Sequence, residues 1–196
     1  MAFKLKGKVI FFATNNIHKF NEVRSVLVEY NIAVAMLRIK AIEIQNNSLK
    51  EIAKASARDA FKYCRLPVIV EDAGLFVEAL RGFPGPYAAY VYQTIGNEGL
   101  LKLMENVENR KAMFQSAIAY CDNEVSAPFV FEGEVDGSIT REVRVGNCKS
   151  GFGFDPIFQP LGSPKTFAEM TLEEKNSFSH RAHAIRSFAE WYKKLQ

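Results

Sequence analysis

The sequence predicts an α/β domain on a mixed sheet, forming two lobes around a cleft, and three observations carry that prediction. Short apolar runs alternate with amphipathic stretches over the first 71 residues, the hydrophobic period changes to two from residue 111, and the chain closes on a long amphipathic stretch. The whole chain, residues 1–196, reads as one domain, with no repeat, low-complexity tract or linker-like stretch.

KVIFFA (8–13) has the short apolar run of a buried strand. The polar turn TNNIHK follows, and Phe20, Val23, Val26, Leu27 and Tyr30 then recur at helical spacing. VAMLRIK (34–40) reads as a second strand leading into IEIQNN. Ser48 and Glu51 form an S-x-x-E capping pattern ahead of a helix that sets Leu49, Ile52, Ala53, Ala57, Ala60 and Phe61 on one face. PVIVE (67–71) is a buried strand expected to end in the acids Glu71 and Asp72, just before Gly74. RGFPGPY (81–87) is a rigid turn region. Two helices follow, YAAYVYQTI and GLLKLMEN, separated by Gly96 and Asn97.

From residue 111, Ala112, Phe114, Ser116, Ile118 and Tyr120 fall on one strand face. FVFEGEV and SITREVRV flank Asp136-Gly137, which predicts a two-residue hairpin turn there. A helix is expected from about Thr171 to Lys194, opened by a T-x-x-E box at Thr171 and Glu174.

Composition narrows the function classes. A hydrophobic fraction of 48% and a charged fraction of 24% are ordinary globular values and exclude disorder. The net charge of +3 suits anionic small molecules but not a dedicated nucleic-acid binder. Cys64, Cys121 and Cys148 share no C-x-x-C spacing and read as reduced thiols of a cytoplasmic protein. No stretch has the length of a membrane span, and the apolar run near the N-terminus is too short for a signal peptide.

Four segments hold polar residues that a plain fold would not require. TNNIHK leads into a helix N-terminus, whose N–H groups suit phosphate, with Thr14, Asn16 and Lys19 adding side-chain donors. VEDAG sets two carboxylates on a strand, and because adjacent side chains point to opposite faces only one should face the cleft. A hard cation such as Mg²⁺ would take such a carboxylate together with substrate phosphates. GFGFDPIF (151–158) is a poor strand with aromatic faces and one acid, Asp155. EEKNSFSHR (173–181) sets Lys175 and Ser179 four apart, with His180 and Arg181 beside them. Together the four describe a nucleoside-phosphate site.

These segments, as ATNNIHK, VEDAGLFVEALRGFPGPY, GFGFDPIF and TFAEMTLEEKNSFSHR in order, resemble the inosine triphosphate pyrophosphatase (Ham1-like) family from about Val9 to the last helix. The resemblance implies an elongated mixed sheet with flanking helices in two lobes (ITPase/Maf-like) and, typically, a homodimer. It implies Mg²⁺-dependent hydrolysis of noncanonical purine nucleoside triphosphates (ITP, dITP, XTP) to the monophosphate and pyrophosphate. It makes Thr14, Asn16 and Lys19 triphosphate ligands, Glu43 a metal ligand and Asp72 a metal ligand or general base. It lines the base and phosphate pocket with Phe152, Phe154, Asp155, Lys175, Ser179, His180 and Arg181.

Three positions depart from the family pattern: Asn15 stands for a glycine, Ala73 for a serine, and Ser56 for a substrate-contacting lysine. Asn tolerates the left-handed backbone a glycine would allow. Lys54, two residues from Ser56, points about 200° away around the helix axis and is no substitute. A carboxylate such as Asp155 facing purine N1–H, with Arg181 or an N–H facing O6, would favour hypoxanthine over adenine. Phe152 or Phe154 would stack on the base. The alternatives are a noncatalytic nucleotide- or nucleic-acid-binding module and a pyrophosphatase for modified pyrimidine triphosphates.

Overall fold

A computed structural model describes residues 9–146 and 151–195; Cys148 lies outside the described residues. The first half alternates strand and helix as the sequence predicts: β1 (Val9–Ala13), α1 (Ile17–Glu29), β2 (Ala33–Leu37), α2 (Leu49–Cys64) and β3 (Val68–Val77). β4 (Pro84–Gly85) and α3 (Ala88–Leu103), kinked at Gly96, lead to the long strands β5 (Lys111–Cys121) and β6 (Phe129–Ile139). β7 (Phe158–Pro160), α4 (Leu172–Phe178) and α5 (His180–Lys194) complete the chain.

The strands form one sheet in the order β2-β1-β3-β5-β6-β7, with β4 paired to β3. β2, β1 and β3 are parallel, and β3, β5, β6 and β7 run antiparallel, so the sheet is mixed as expected. No helix among the described residues is long and apolar enough to cross a membrane.

Three expectations are corrected. β3 does not stop at the acids: Glu71 to Val77 stay paired with β5, so both carboxylates lie inside a central strand. Asp136-Gly137 is no turn, because β6 runs straight through it against Met113 and Ala112. Gly137 serves close approach instead, since a Cβ there would lie 2.4 Å from the Gln159 carbonyl of β7. The true turn joins β5 to β6, where Asn123 Oδ1 accepts from the N–H groups of Val125 and Ser126. Finally, the last helix is broken at Ser179, whose extended backbone ends α4 and whose hydroxyl accepts from Ala182 N–H at the start of α5.

Alternation along the strands explains the two lobes. On one face of β3 and β5, Ile69 and Ile118 join a cluster with Val23, Leu27, Ile185 and Phe188 of α1 and α5. Farther along the same face, Leu75 and Phe114 join a second cluster with Phe154, Ile157, Phe158 and Phe167. Between them the face turns polar, with Glu71 on β3 and Ser116 on β5. The opposite face packs Val68, Val70, Ala117 and Ala119 under the alanine stripe of α2. A buried polar seam thus separates two apolar clusters on one sheet face.

Candidate active site

The seam is filled by six charged side chains in alternating order: Lys19, Glu71, Arg181, Glu22, Lys175 and Asp155. Lys19 Nζ lies 2.8 Å from Glu71 Oε2 and donates to the Glu71 carbonyl at 3.4 Å. Glu71 Oε1 accepts from Arg181 Nε at 3.0 Å and from Ser116 Oγ at 2.8 Å. Glu22 accepts from Arg181 and, at 2.7 Å, from Lys175 Nζ, which also donates to Asp155 Oδ2 at 2.6 Å. Three cations meet three anions, so the chain is neutral when all are ionised. Burial works against charge on Glu22 and Glu71, but Arg181 together with Lys175 or Lys19 outweighs it and holds both carboxyls below the ordinary range. Burial pushes Asp155 up, and Lys175 does not fully offset it.

The helix break at Ser179 lets α4 and α5 each contribute a cation to the seam. α5 also needs Gly133: a Cβ there would lie 2.2 Å from the His180 carbonyl and 2.5 Å from Ala184 N.

Asp72 points the other way. It pairs across the sheet with Ala117, on the face covered by α2, and its Oδ2 is buried with no hydrogen-bond partner. Burial, with Glu71 and Glu43 adding to it against the pull of Lys19, pushes this carboxyl up to about 7. Glu43 is exposed on a segment tied to α2 by two hydrogen bonds, Ser56 Oγ to the Ile42 carbonyl and Ile42 N–H to Asp59, each 2.8 Å. Ser56 is therefore a buried structural hydroxyl, and Lys54 pairs with Glu51 at 2.8 Å.

An orphaned carboxylate oxygen beside a second acid fits a hard divalent cation. No group of three His, Cys, Asp or Glu side chains among the described residues could hold a metal alone. That donor set suits Mg²⁺, which completes its shell with phosphate oxygens and water.

The base loop divides its aromatic residues. Phe154 is 3% exposed, packed in the distal cluster with Tyr92 edge-on at 5.6 Å, so it offers no free face. Phe152 is half-buried, and its ring centre lies 4.9 Å from Lys175 Nζ and 5.5 Å from the Arg181 guanidinium. Asp155 Oδ2 accepts from Phe152 N–H at 2.8 Å as well as from Lys175, so Asp155 is engaged in fixing the loop. Arg181 is likewise held by two glutamates. The expectation that this pair reads the purine edge finds both side chains already committed to ion pairs. Gly153 takes a positive φ of 61°, and its carbonyl accepts from Asn97, just after the α3 kink. His180 stacks on Phe114 with ring centroids 4.7 Å apart, and its Nδ1 is buried without a partner. Burial, then the charge of Arg181, pushes its imidazole well below the ordinary value, so it is neutral.

At the start of α1, Asn16 Oδ1 accepts from the N–H groups of His18 and Lys19 at 2.9 and 3.1 Å, and Thr14 Oγ1 accepts from Asn16 N–H at 3.1 Å. Asn16 thus caps the helix, occupying two N–H groups that the sequence suggested for phosphate. Asn15 is not among the residues with positive φ, so no left-handed turn is needed there.

Sequence reasoning missed Glu22 and Ser116. Glu22 carried a signal: it lies one turn before the buried Val26, within the apolar stripe of α1. Ser116 carried another, a hydroxyl on the inward face of β5.

A cavity of about 740 Å³ opens on the sheet at Ala117, the cross-strand partner of Asp72, with Ser48, Phe76, Gln115, Glu132 and His183 also lining it; Lys19, Glu43, Asp72 and Phe152 do not line it. Its size suits a small-molecule site.

Residues 10–191 match the model of the Ham1 family. The chain belongs to that family. A Methanopyrus kandleri protein named dITP/XTP pyrophosphatase is 51% identical over 184 residues, 94% of this chain and 96% of the relative. A Saccharolobus solfataricus protein of the same name is 47% identical over 186 residues, 95% of this chain and 94% of the relative. Among solved structures, a HAM1 protein from Coxiella burnetii superposes with a TM-score of 0.83 at 30% identity, covering 95% of this chain and 99% of its own.

Proposed function

We propose that this Ham1-family chain hydrolyses noncanonical purine nucleoside triphosphates, of the dITP and XTP kind, to the monophosphate and pyrophosphate. The observation that carries the reading is Asp72, whose carboxyl keeps one buried oxygen with no hydrogen-bond partner on a central strand, within electrostatic reach of Lys19 and Glu43. The relatives' names supply the substrate class.

Lys19, about one-fifth exposed, and the Thr14 hydroxyl hold the triphosphate, and the half-buried Phe152 stacks on the purine. Water attacks the α-phosphorus; its O–P bond forms as the bond to the α,β-bridging oxygen breaks, and pyrophosphate leaves with that electron pair. Asp72 orients the water and takes its proton. Glu43 and Asp72 would hold Mg²⁺, which when bound lowers the pKa of water and shields the phosphate charge. Glu22, Glu71, Asp155, Lys175 and Arg181 keep the pocket rigid and prearranged.

We take residues 1–196 as one unit, acting in the cytoplasm as a homodimer; exposed Tyr90 and Ile95 on α3 support that assembly. The test is pyrophosphate release from a panel of purine and pyrimidine triphosphates, with Mg²⁺ and with chelator. Metal-dependent release from dITP, ITP and XTP well above ATP is expected. Release only from modified pyrimidine triphosphates, or nucleotide binding without release, would overturn the reading.

A further inference from the structure

Phe152 has a ring partner that the sequence motifs do not account for. His18, exposed on the first turn of α1, stacks on it with centroids 5.3 Å apart and planes 20° from parallel. Among the described residues the imidazole nitrogens of His18 have no hydrogen-bond partner, and the ring stacks on Phe152. Its backbone is fixed by a different bond, His18 N–H to Asn16 Oδ1 at 2.9 Å. The stack therefore joins the turn carrying Thr14 and Lys19 to the loop carrying Phe152 and Asp155.

Phe152 is the less mobile half, since it is half-buried with two buried cations near its ring. His18 is the mobile half, on an anchored backbone. A flat ring entering between the two needs planes about 7 Å apart, twice a contact distance of ~3.5 Å. Rotation of the exposed His18 side chain can supply that opening.

We propose that His18 is a base-contacting residue: the purine enters between the His18 and Phe152 rings, and His18 forms the outer plate of the stack. The inference rests on the proposed nucleotide chemistry and adds a residue to it. Stacking is indifferent to the reacting phosphate, so the loss should fall on KM and leave kcat nearly unchanged.

The test compares His18→Ala and His18→Phe in steady-state hydrolysis of ITP, with calorimetric binding of IMP and inhibition by inorganic tripolyphosphate as companions. For His18→Ala, KM for ITP and Kd for IMP should rise about 5- to 150-fold, the range for loss of one base–aromatic stack. kcat should stay within about twofold and tripolyphosphate inhibition should not move, while His18→Phe restores both nucleotide constants. Unchanged or tighter IMP binding in His18→Ala would overturn the inference, as would equal impairment of the Ala and Phe variants. If the parent releases no pyrophosphate, the hydrolytic reading fails, while IMP binding still decides the role of His18.

Discussion

On one side of β3, Glu71 accepts from Ser116 and Arg181 and pairs with Lys19; one residue along, on the other side, Asp72 keeps a buried oxygen with no partner. The two acids share a strand and are adjacent in sequence. Alternation alone sends one toward α1 and α5, where cations converge, and the other toward α2, where burial, then the charges of Glu71 and Glu43, outweigh the pull of Lys19. Glu71 is held below the ordinary carboxyl range and Asp72 is pushed up to about 7. A fully paired carboxylate gains nothing from meeting a ligand, whereas an unpaired one near neutrality can take a metal ion or a proton. The proposed mechanism makes the first scaffold and the second the reactive acid.

The largest break in that comparison comes from Glu71→Gln. It strips Arg181 and Lys19 of a shared partner inside the protein, and loss of one member of a buried ion network costs about 3–5 kcal/mol. Chemical denaturation should report a loss of that size. A change below about 1 kcal/mol would mean the chain contributes little to stability.

Gly133→Ala disturbs the same side without removing a charge. The new methyl group would meet the His180 carbonyl and push α5 off β6, at about 1–3 kcal/mol by analogy with overpacked cores. Catalysis should suffer beyond the stability loss, because His180 and Arg181 begin that helix. Parental kinetics in a folded variant would show that the seam tolerates movement of α5.

The smallest effect is expected on the opposite side. Ser56→Ala removes the hydrogen bond to Ile42 that steadies the Glu43 segment, worth about 1 kcal/mol. The Mg²⁺ concentration for half-maximal activity should rise several-fold with little change at saturation. No change in metal dependence would separate Glu43 from the metal.

Much of this architecture is readable from residue spacing. The apolar stripes of α1 and α2, the inward face of β5 and the cap at Thr171 follow from local periodicity, and the structure keeps them. The misreadings share one cause: tertiary partners outvote local signals. Asp136-Gly137 has turn chemistry, yet β5 and β7 on either side hold it in a strand. Ser179 sits in a helical pattern, yet its hydroxyl serves better as a cap.

The site followed the same rule. Motif spacing pointed to Lys19, Asp72, Lys175 and Arg181, but it did not indicate that Asp155 and Arg181 would be held by ion pairs. Nor did it draw in Glu22, because the chain of charges joins α1, β3, α4, α5 and the 151–155 loop, which are distant in sequence.

Asp72→Asn tests the contrast most directly, with thermal unfolding of the metal-free protein at pH 5 and pH 8 beside kcat for ITP. A carboxyl whose folded value is raised from 3.8 to about 7 binds its proton more tightly in the folded state. Stability therefore falls as pH climbs between those values, and the deficit is complete above pH 7 at up to about 4 kcal/mol. The asparagine variant should melt higher than the parent, by more at pH 8 than at pH 5, while kcat drops by about 10²-fold or more. A variant that melts lower at pH 8, or one that keeps near-parental kcat, would contradict the assignment of Asp72 as the strained, reactive acid.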